Sequence, residues 1–452
     1  MTAGPAKQID QRSEGRGVPT ASRVFPDGTL LELLHRPDTN TTAFAVWCEG
    51  AWSIEKQWKG SSGELLVPFS PTNNLLKNNV VLLPSEPLDY GNEEQLLRDI
   101  GAFIHRYADL TPAFENVAIH YVLLSWLYDA FNELPYLRLR GDFGTGKTRT
   151  LLTIGSLCYK AFFASGASTV SPIFHTLDAF RGTLIFDEAD FRFSDERAEI
   201  VKVLNNGNVR GLPVLRTMIN HRREFNPQAF HVFGPKVVAT RSDYADKGLE
   251  SRFLTEEMGG RRLRSDIPIN LPQTFADEAR LLRNKLLLYR FHTRRHAILD
   301  ESLVDPSLEP RLNQILVPLL SVVRTPKLRE ELRAVAEAAQ SGLLEARGFS
   351  AEAHVLQILA DLIADPAHEP ISVGTIAGRL AERYGGEYER PITNRWVGGI
   401  LRARLSIRAF KSHGIYIIPP SEYEKVELLC SRYGIEAKVS DAESGDVGTS
   451  ET

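Results

Sequence analysis

The sequence predicts an α/β chain built on a parallel sheet that carries a phosphate-binding loop, and three observations predict it. Residues 141–148 read GDFGTGKT, a GxxxxGK[ST] loop set between a strand-like run, LPYLRLR, and a helical run, TRTLLTIGSLCYK. Forty residues beyond Lys147, the apolar run Thr183–Phe186 ends in two acids, Asp187 and Glu188. From residue 134 to about 258, strand-like and helical segments alternate, as in a parallel sheet covered on both faces.

The elements follow in order. Residues 1–22 are polar with Gly and Pro and are expected to be disordered. Residues 23–92 carry short strand-like runs (TTAFAVWCEG, AWSIEKQW, ELLVPFS) and are expected as a small β-rich N-terminal domain. At Glu93 the period changes: EEQLLRDIGAFIHRYADL and ENVAIHYVLLSWLYDAFNEL place apolar residues at helical spacing and open a core of residues 93–273. Arg138 and Arg140 sit in the strand before the loop, so one edge of that strand is expected to face a neighbouring domain. Residues 274–345 are helical, and 350–435 form a compact C-terminal block. The acidic end, 436–452, is expected as a loose tail.

Composition narrows the classes. A net charge of -4 rules out a uniformly basic coat, so any nucleic-acid surface is local. Cys48, Cys158 and Cys430 lie far apart with no CxxC pair, which argues against a zinc or disulfide framework and fits a cytoplasmic setting. No run of about eighteen apolar residues occurs, so no membrane span is expected.

The phosphate loop has a specific physical demand. Several backbone N–H groups must converge on phosphate, which the residues Gly141, Asp142, Phe143, Gly144, Thr145 and Gly146 allow by leaving the approach open. Lys147 would reach the β- and γ-phosphates, and Thr148 would ligate Mg²⁺. Asp187 would hold that Mg²⁺ through water, and Glu188 would polarise the water that attacks the γ-phosphate of ATP. An apolar strand ending in acids says little alone; at this distance after a complete loop it says much more. The letters DEAD add nothing, because the other motifs of DEAD-box helicases are missing.

The next strand, KVVATRSD, ends in Thr240, and twelve residues later stands Arg252 in GLESRF. Here the chain resembles the AAA+ ATPases over residues 100 to 340, helical lid included. The resemblance implies that Thr240 is a polar sensor at the catalytic site and Arg252 an arginine finger for a neighbouring subunit's ATP. It implies a second arginine sensor as well, for which Arg311 is the first choice and Arg283 the second.

Two features point to DNA. Between the acidic pair and the sensor strand, GLPVLRTMINHRREFNPQAFHVFGPK reads as two strands around a turn, similar to hairpins in MCM-type and viral-initiator helicases. His221, Arg222 and Arg223 at its tip would grip phosphates rather than read bases. In the C-terminal block, three helical runs precede IRAFKSHGIYIIP, two strands about His413–Gly414, which resembles a winged helix-turn-helix. Between Ile371 and Ile418 eight Lys/Arg stand against three Glu, a balance of +5 (8 minus 3), with Arg395, Arg402, Arg404, Arg408, Lys411 and His413 as contact candidates. Tyr388, Trp396 and Tyr416 are expected in the core. The order of parts resembles MCM-like and mobile-element helicases. The implied function is an ATP-dependent DNA motor in a homo-oligomeric, hexameric ring, replicating a mobile element or phage. The competing reading is an ATP-switched DNA-binding regulator that assembles without unwinding. No polymerising carboxylate cluster accompanies these parts, so primase activity is not expected.

Overall fold

The computed structural model describes residues 17–60, 63–187, 194–219, 225–244, 246–348, 350–365, 370–388 and 390–435. The chain separates into two compact units, residues 1–337 and 338–452.

In the first unit, β1 (Val18–Thr20), β2 (Ser22–Val24), β3 (Leu30–Arg36), β4 (Thr41–Cys48), β5 (Ala51–Glu55), β6 (Trp58–Lys59) and β7 (Leu65–Pro68) form two small sheets, ordered β2-β3-β4-β5 and β1-β7-β6. β4 turns into β5 through Glu49 and Gly50, both at positive φ (51° and 85°), a two-residue turn whose twist suits antiparallel strands. β3 is buried on both faces, so its sequence LLELLHR shows no alternation. The expected N-terminal domain therefore does not stand apart. Leu30, Leu34 and Ala45 lie in one apolar cluster with the helices and sheet that follow.

After α1 (Asn74–Lys77), α2 (Glu93–Tyr107) starts at Asn92, whose side chain accepts from the Gln95 N–H at 2.9 Å. α3 (Pro112–Leu127) has Thr111 at its cap and proline in its first turn. Its second half is buried on every face, which makes it a core helix.

The central sheet comes next. In chain order it uses β8 (Tyr136–Arg140), α4 (Lys147–Gly155), β9 (Phe162–Ser165), α5 (Val170–Phe180), β10 (Leu184–Asp187) and α6 (Ser194–Asn206). The hairpin β11 (Val214–Ile219) and β12 (Phe225–Phe230) is then inserted before β13 (Lys236–Thr240), α7 (Lys247–Glu250) and β14 (Phe253–Glu257). The strand order is β14-β8-β13-β10-β9, every neighbouring pair parallel. All five carboxyl ends share one edge, where ligands collect in open α/β sheets.

One expectation needs correcting. β8 has a strand on each side, so Arg138 and Arg140 do not mark a free edge. Arg138 is buried, paired to Glu250 at 2.7 Å and bonded to Thr255 Oγ1 at 3.0 Å. Arg140 pairs with Asp243 and Glu257.

α8 (Phe275–Thr293), α9 (Pro310–Ser321) and α10 (Pro326–Gly348) supply the helices expected after the sheet. Leu286, Leu287 and Leu316 join Trp126 of α3 and Leu151 of α4 in the same cluster, so these helices complete the core. A buried charge knot ties the parts together. Glu32 of β3 accepts from Tyr159 OH at 2.7 Å and pairs with Lys160 at 3.0 Å and Arg290 at 2.8 Å. Arg290 and Arg294 of the α8 end both reach Asp129 at 2.8 Å.

The second unit has its own core of Leu356, Leu359, Ile376, Leu380, Val397 and Leu401, among others. It comprises α11 (Ala351–Ile363), α12 (Val373–Tyr384), α13 (Asn394–Gly399), β15 (Phe410–Ser412), β16 (Ile415–Ile417) and α14 (Tyr423–Arg432). Ser372 caps α12 and Thr393 caps α13, each accepting a backbone N–H three residues on. α13 runs on into a π-helical turn, Ile400–Arg404. His413 and Gly414, at φ 48° and 88°, make the hairpin turn. Tyr416, expected in the core, is 50% exposed, and Trp396 lies at the surface against Tyr388 with ring centroids 5.2 Å apart.

Candidate functional site

β8 ends at Arg140, and the loop Gly141–Gly146 carries the chain to α4, which begins at Lys147. Two glycines are required by geometry. A Cβ on Gly141 would stand 2.4 Å from the Met258 carbonyl oxygen, and Gly146 has φ +88°. Gly146 offers α4 no side-chain cap, so the first N–H groups of the helix are left for a ligand.

Around this turn lies a cleft of about 350 Å³ lined by Phe143, Lys147, Thr148, Asp187, Thr240 and Arg241 among others. The Lys147 ammonium donates to the Gly141 and Asp142 carbonyls, both at 2.6 Å, so it lies across the mouth of the loop. Thr145 Oγ1 donates to the Asp142 carbonyl at 2.9 Å and braces the turn. Thr148 Oγ1 donates to Asp187 Oδ2 at 2.6 Å, joining the helix start to the end of β10. Thr240 ends β13 between those strands; its buried hydroxyl has no hydrogen-bond partner among the described residues. A buried hydroxyl is costly to leave unpaired, so one aimed at a cleft is suited to a polar ligand.

These residues fit a nucleotide with Mg²⁺. The loop presents backbone donors, and the hydroxyl and carboxylate at 2.6 Å form a small hard-oxygen pair. Mg²⁺ commonly keeps several waters and takes one or two carboxylates plus phosphate oxygens. Among the described residues there is no group of three or more His, Cys, Asp or Glu side chains that could hold a metal by itself.

Other predicted residues fall elsewhere. Glu188 and the tip residues His221, Arg222 and Arg223 lie outside the described residues. Arg252 precedes β14, at the opposite edge of the sheet from the phosphate loop, about 16 Å away along the strand. It is half-buried and donates to the Asn205 carbonyl at 2.9 Å and to the Asn205 side chain. Burial lowers its pKa, and the nearby Arg311 adds to that. Arg311 donates to the Gly248 carbonyl at 3.2 Å, on that same edge. Its expected place in the nucleotide site is thus corrected for its own chain, because the site opens on the other edge. Arg283, the second choice, is also corrected: it is buried, donates to the Ser156 carbonyl at 2.6 Å, and has its pKa pulled down by burial to about 10.

The hairpin β11–β12 is antiparallel over six residue pairs, with Leu215 and Phe225 exposed at 67% and 78% on one face. At its root, Lys236 Nζ donates to the carbonyls of Val232 and Gly234 at 2.9 Å and Gly207 at 3.1 Å. In the second unit Arg395, Arg402, Arg408 and Lys411 are exposed. Arg404 is tied to Glu352 at 2.8 Å, and Arg402 also donates to the Gly398 carbonyl at 3.1 Å. Tyr416 lies opposite Lys411 across the hairpin.

Sequence reasoning missed Arg241 and Arg149. Arg149 binds the Pro268 and Ile269 carbonyls at 2.9 and 2.6 Å, fastening the segment after β14 beside α4. Arg241 follows Thr240 directly, and that adjacency was the only available signal.

The fold and the loop define a P-loop α/β chain. No family model and no curated protein matches the sequence. Among solved structures the chain is similar to the C-terminal region of NrS-1, at 11% identity over 86% of this chain and 96% of that one, with a TM-score of 0.34. It is also similar to SCCmec type IV Cch, described as an active helicase, at 12% identity over 92% and 80% of the two chains (TM-score 0.36). A third is a full-length MCM homolog from Methanopyrus kandleri, at 12% identity over 66% and 68% (TM-score 0.35). Likeness this slight carries no argument about chemistry, which rests on the loop and strand ends.

Proposed function

We propose that this chain is an ATPase of AAA+ type that couples hydrolysis to work on DNA, as a helicase or translocase assembled in a ring. The observation that carries the ATPase reading is the Thr148–Asp187 bond at 2.6 Å, beside a glycine loop closed by Lys147. Mg²⁺ bound there would neutralise phosphate charge. Lys147 would exchange its two carbonyl partners for β- and γ-phosphate oxygens, and the N–H groups at the start of α4 would hold the same phosphates. Thr240 would orient the attacking water or the γ-phosphate through its buried hydroxyl, which has no partner among the described residues. Glu188, next to Asp187, is the proposed base.

The proposed ring would bring Arg252 to a neighbouring chain's phosphates, a reading supported by its place at the end of the sheet opposite its own loop. DNA is the proposed track, gripped by the hairpin tip and by the exposed cations of the C-terminal unit, read as a winged helix. That unit has a core of its own and also suits a second reading, an ATP-switched DNA-binding regulator.

ATP hydrolysis measured with and without forked DNA tests both. Wild type should be stimulated by DNA, Lys147→Ala should be inactive, and mixing it with Arg252→Ala should restore part of the activity. Slow turnover, indifferent to DNA and to Arg252→Ala, would sink the motor and leave the regulator.

A further inference from the structure

The hairpin β15–β16 is pinned at its root and bare beyond it. Ile418 donates its backbone N–H to the Ile371 carbonyl at 2.9 Å, and Ile417 bridges to Ser372 at the start of α12. Ile407 and Ile418 are buried in the core of the second unit. Past that root, Phe410, Ile415 and Tyr416 are 49%, 52% and 50% exposed. Single exposed apolar side chains are ordinary on a protein surface; three on a ladder of three residue pairs are not.

The register sorts these side chains by face. Directly opposed residues share a face, and the pairs are Phe410 with Ile417, Lys411 with Tyr416, and Ser412 with Ile415. One face therefore carries the Lys411 ammonium beside the Tyr416 ring, with Cβ atoms roughly 5 Å apart. On the other face the ladder has Phe410 and Ile415 and no cation. Among the described residues Lys411 makes no ion pair, and the Tyr416 ring and hydroxyl have no partner. Both are also exposed, so ring and ammonium are open to one ligand.

Resting on the DNA reading above, we infer that Tyr416 stacks on an unpaired base of DNA while Lys411 meets a phosphate of the same strand. Every base has a π face, so a ring beside a cation suits a single strand of any sequence. A base inside a duplex is covered above and below by its neighbours. The ring therefore selects a single strand or the unpaired arm of a fork, a choice that phosphate contacts alone do not make. Charge favours this occupant over an apolar protein surface. Eight Lys/Arg against three Glu lie between Ile371 and Ile418, and an apolar partner would bury the Lys411 charge without a counter-ion.

The test is fluorescence anisotropy of the full chain on a labelled single strand, a fork and a blunt duplex. Tyr416→Ala should weaken the single strand and the fork about tenfold, the scale of one lost stack, and the duplex less than about twofold. Tyr416→Phe should bind all three like wild type, since the ring and not the hydroxyl is used. Phe410→Ala, on the opposite face, should stay near wild type throughout. Across a salt series Tyr416→Ala should keep the wild-type slope, whereas Lys411→Ala should reduce it by about 0.7 on the single strand. Equal loss on all three DNAs, a loss with Tyr416→Phe as large as with Tyr416→Ala, or no loss with Tyr416→Ala overturns the inference. The DNA reading fails by a different result: a wild-type chain that binds none of the three refutes that reading and this inference with it.

Discussion

Asp129 touches Arg290 and Arg294 at 2.8 Å, and burial would by itself raise its pKa. The two guanidinium groups outweigh burial and hold the carboxyl well below its usual 3.8. A carboxylate with a depressed folded pKa adds stability above its unfolded value and loses that contribution as pH falls below it. Asp129→Asn should therefore cost about 3–5 kcal/mol at pH 7, because it strands buried cations. The gap to wild type should narrow once pH drops below 3.8, and urea melts at neutral and acid pH would show it. At the cleft, Thr148→Ala removes the hydroxyl that meets Asp187, whereas Thr148→Ser keeps it. The first should slow Mg²⁺-dependent hydrolysis by about 10²-fold and the second by less than about tenfold, the size expected for a lost electrostatic contact to the reacting group. Steady-state ATPase over a Mg²⁺ titration separates them, since the serine variant should keep a near-normal Mg²⁺ midpoint.

At the scale of elements, Lys236 determines how the hairpin is rooted. Its ammonium serves three carbonyls from both hairpin flanks, and burial pushes its pKa well down. Lys236→Met keeps the length of the side chain and takes the ammonium donor from the buried Val232 and Gly234 carbonyls, while the Gly207 carbonyl keeps the Gly234 N–H at 3.1 Å. The cost should be about 3 kcal/mol or more. Hydrogen exchange should rise first in β11 and β12, while α3 stays protected; uniform loss of protection would contradict a local anchor. None of this was legible beforehand, because the three carbonyls belong to residues whose side chains play no part in it. What could be read followed from local rules. The phosphate loop, the acidic strand end and the turn at His413–Gly414 each follow from residue type and spacing. The errors arose where tertiary packing decides. Arg138 looked like an edge residue because its partner Glu250 is 112 positions away, and the N-terminal strands looked independent because their shared core is formed with distant helices. Tyr416 looked like core because hydrophobicity alone does not say which face of a short hairpin is covered.

For the whole molecule, the question is how two units with separate cores divide the labour. The first unit holds every described residue of the cleft at the phosphate loop, and the second holds the exposed cations Arg402, Arg408 and Lys411. If the second unit grips DNA through phosphates, its contribution must weaken with salt, because each neutralised phosphate releases counterions. Replacing all three cations by alanine should flatten the slope of log affinity against log salt by about 3 on duplex DNA, at roughly 0.9 per contact. The effect should be alike on unrelated sequences, since phosphate contacts carry no base information. Nucleotide binding should be untouched, because no residue of the cleft changes. Fluorescence anisotropy across a salt series, run beside a nucleotide titration, reads both. An unchanged slope with wild-type DNA affinity would mean that these three cations do not meet the phosphates of DNA. A slope reduced on one sequence but not another would mean base readout, and would shift attention to Arg395 at the start of α13, where a helix end could enter a groove.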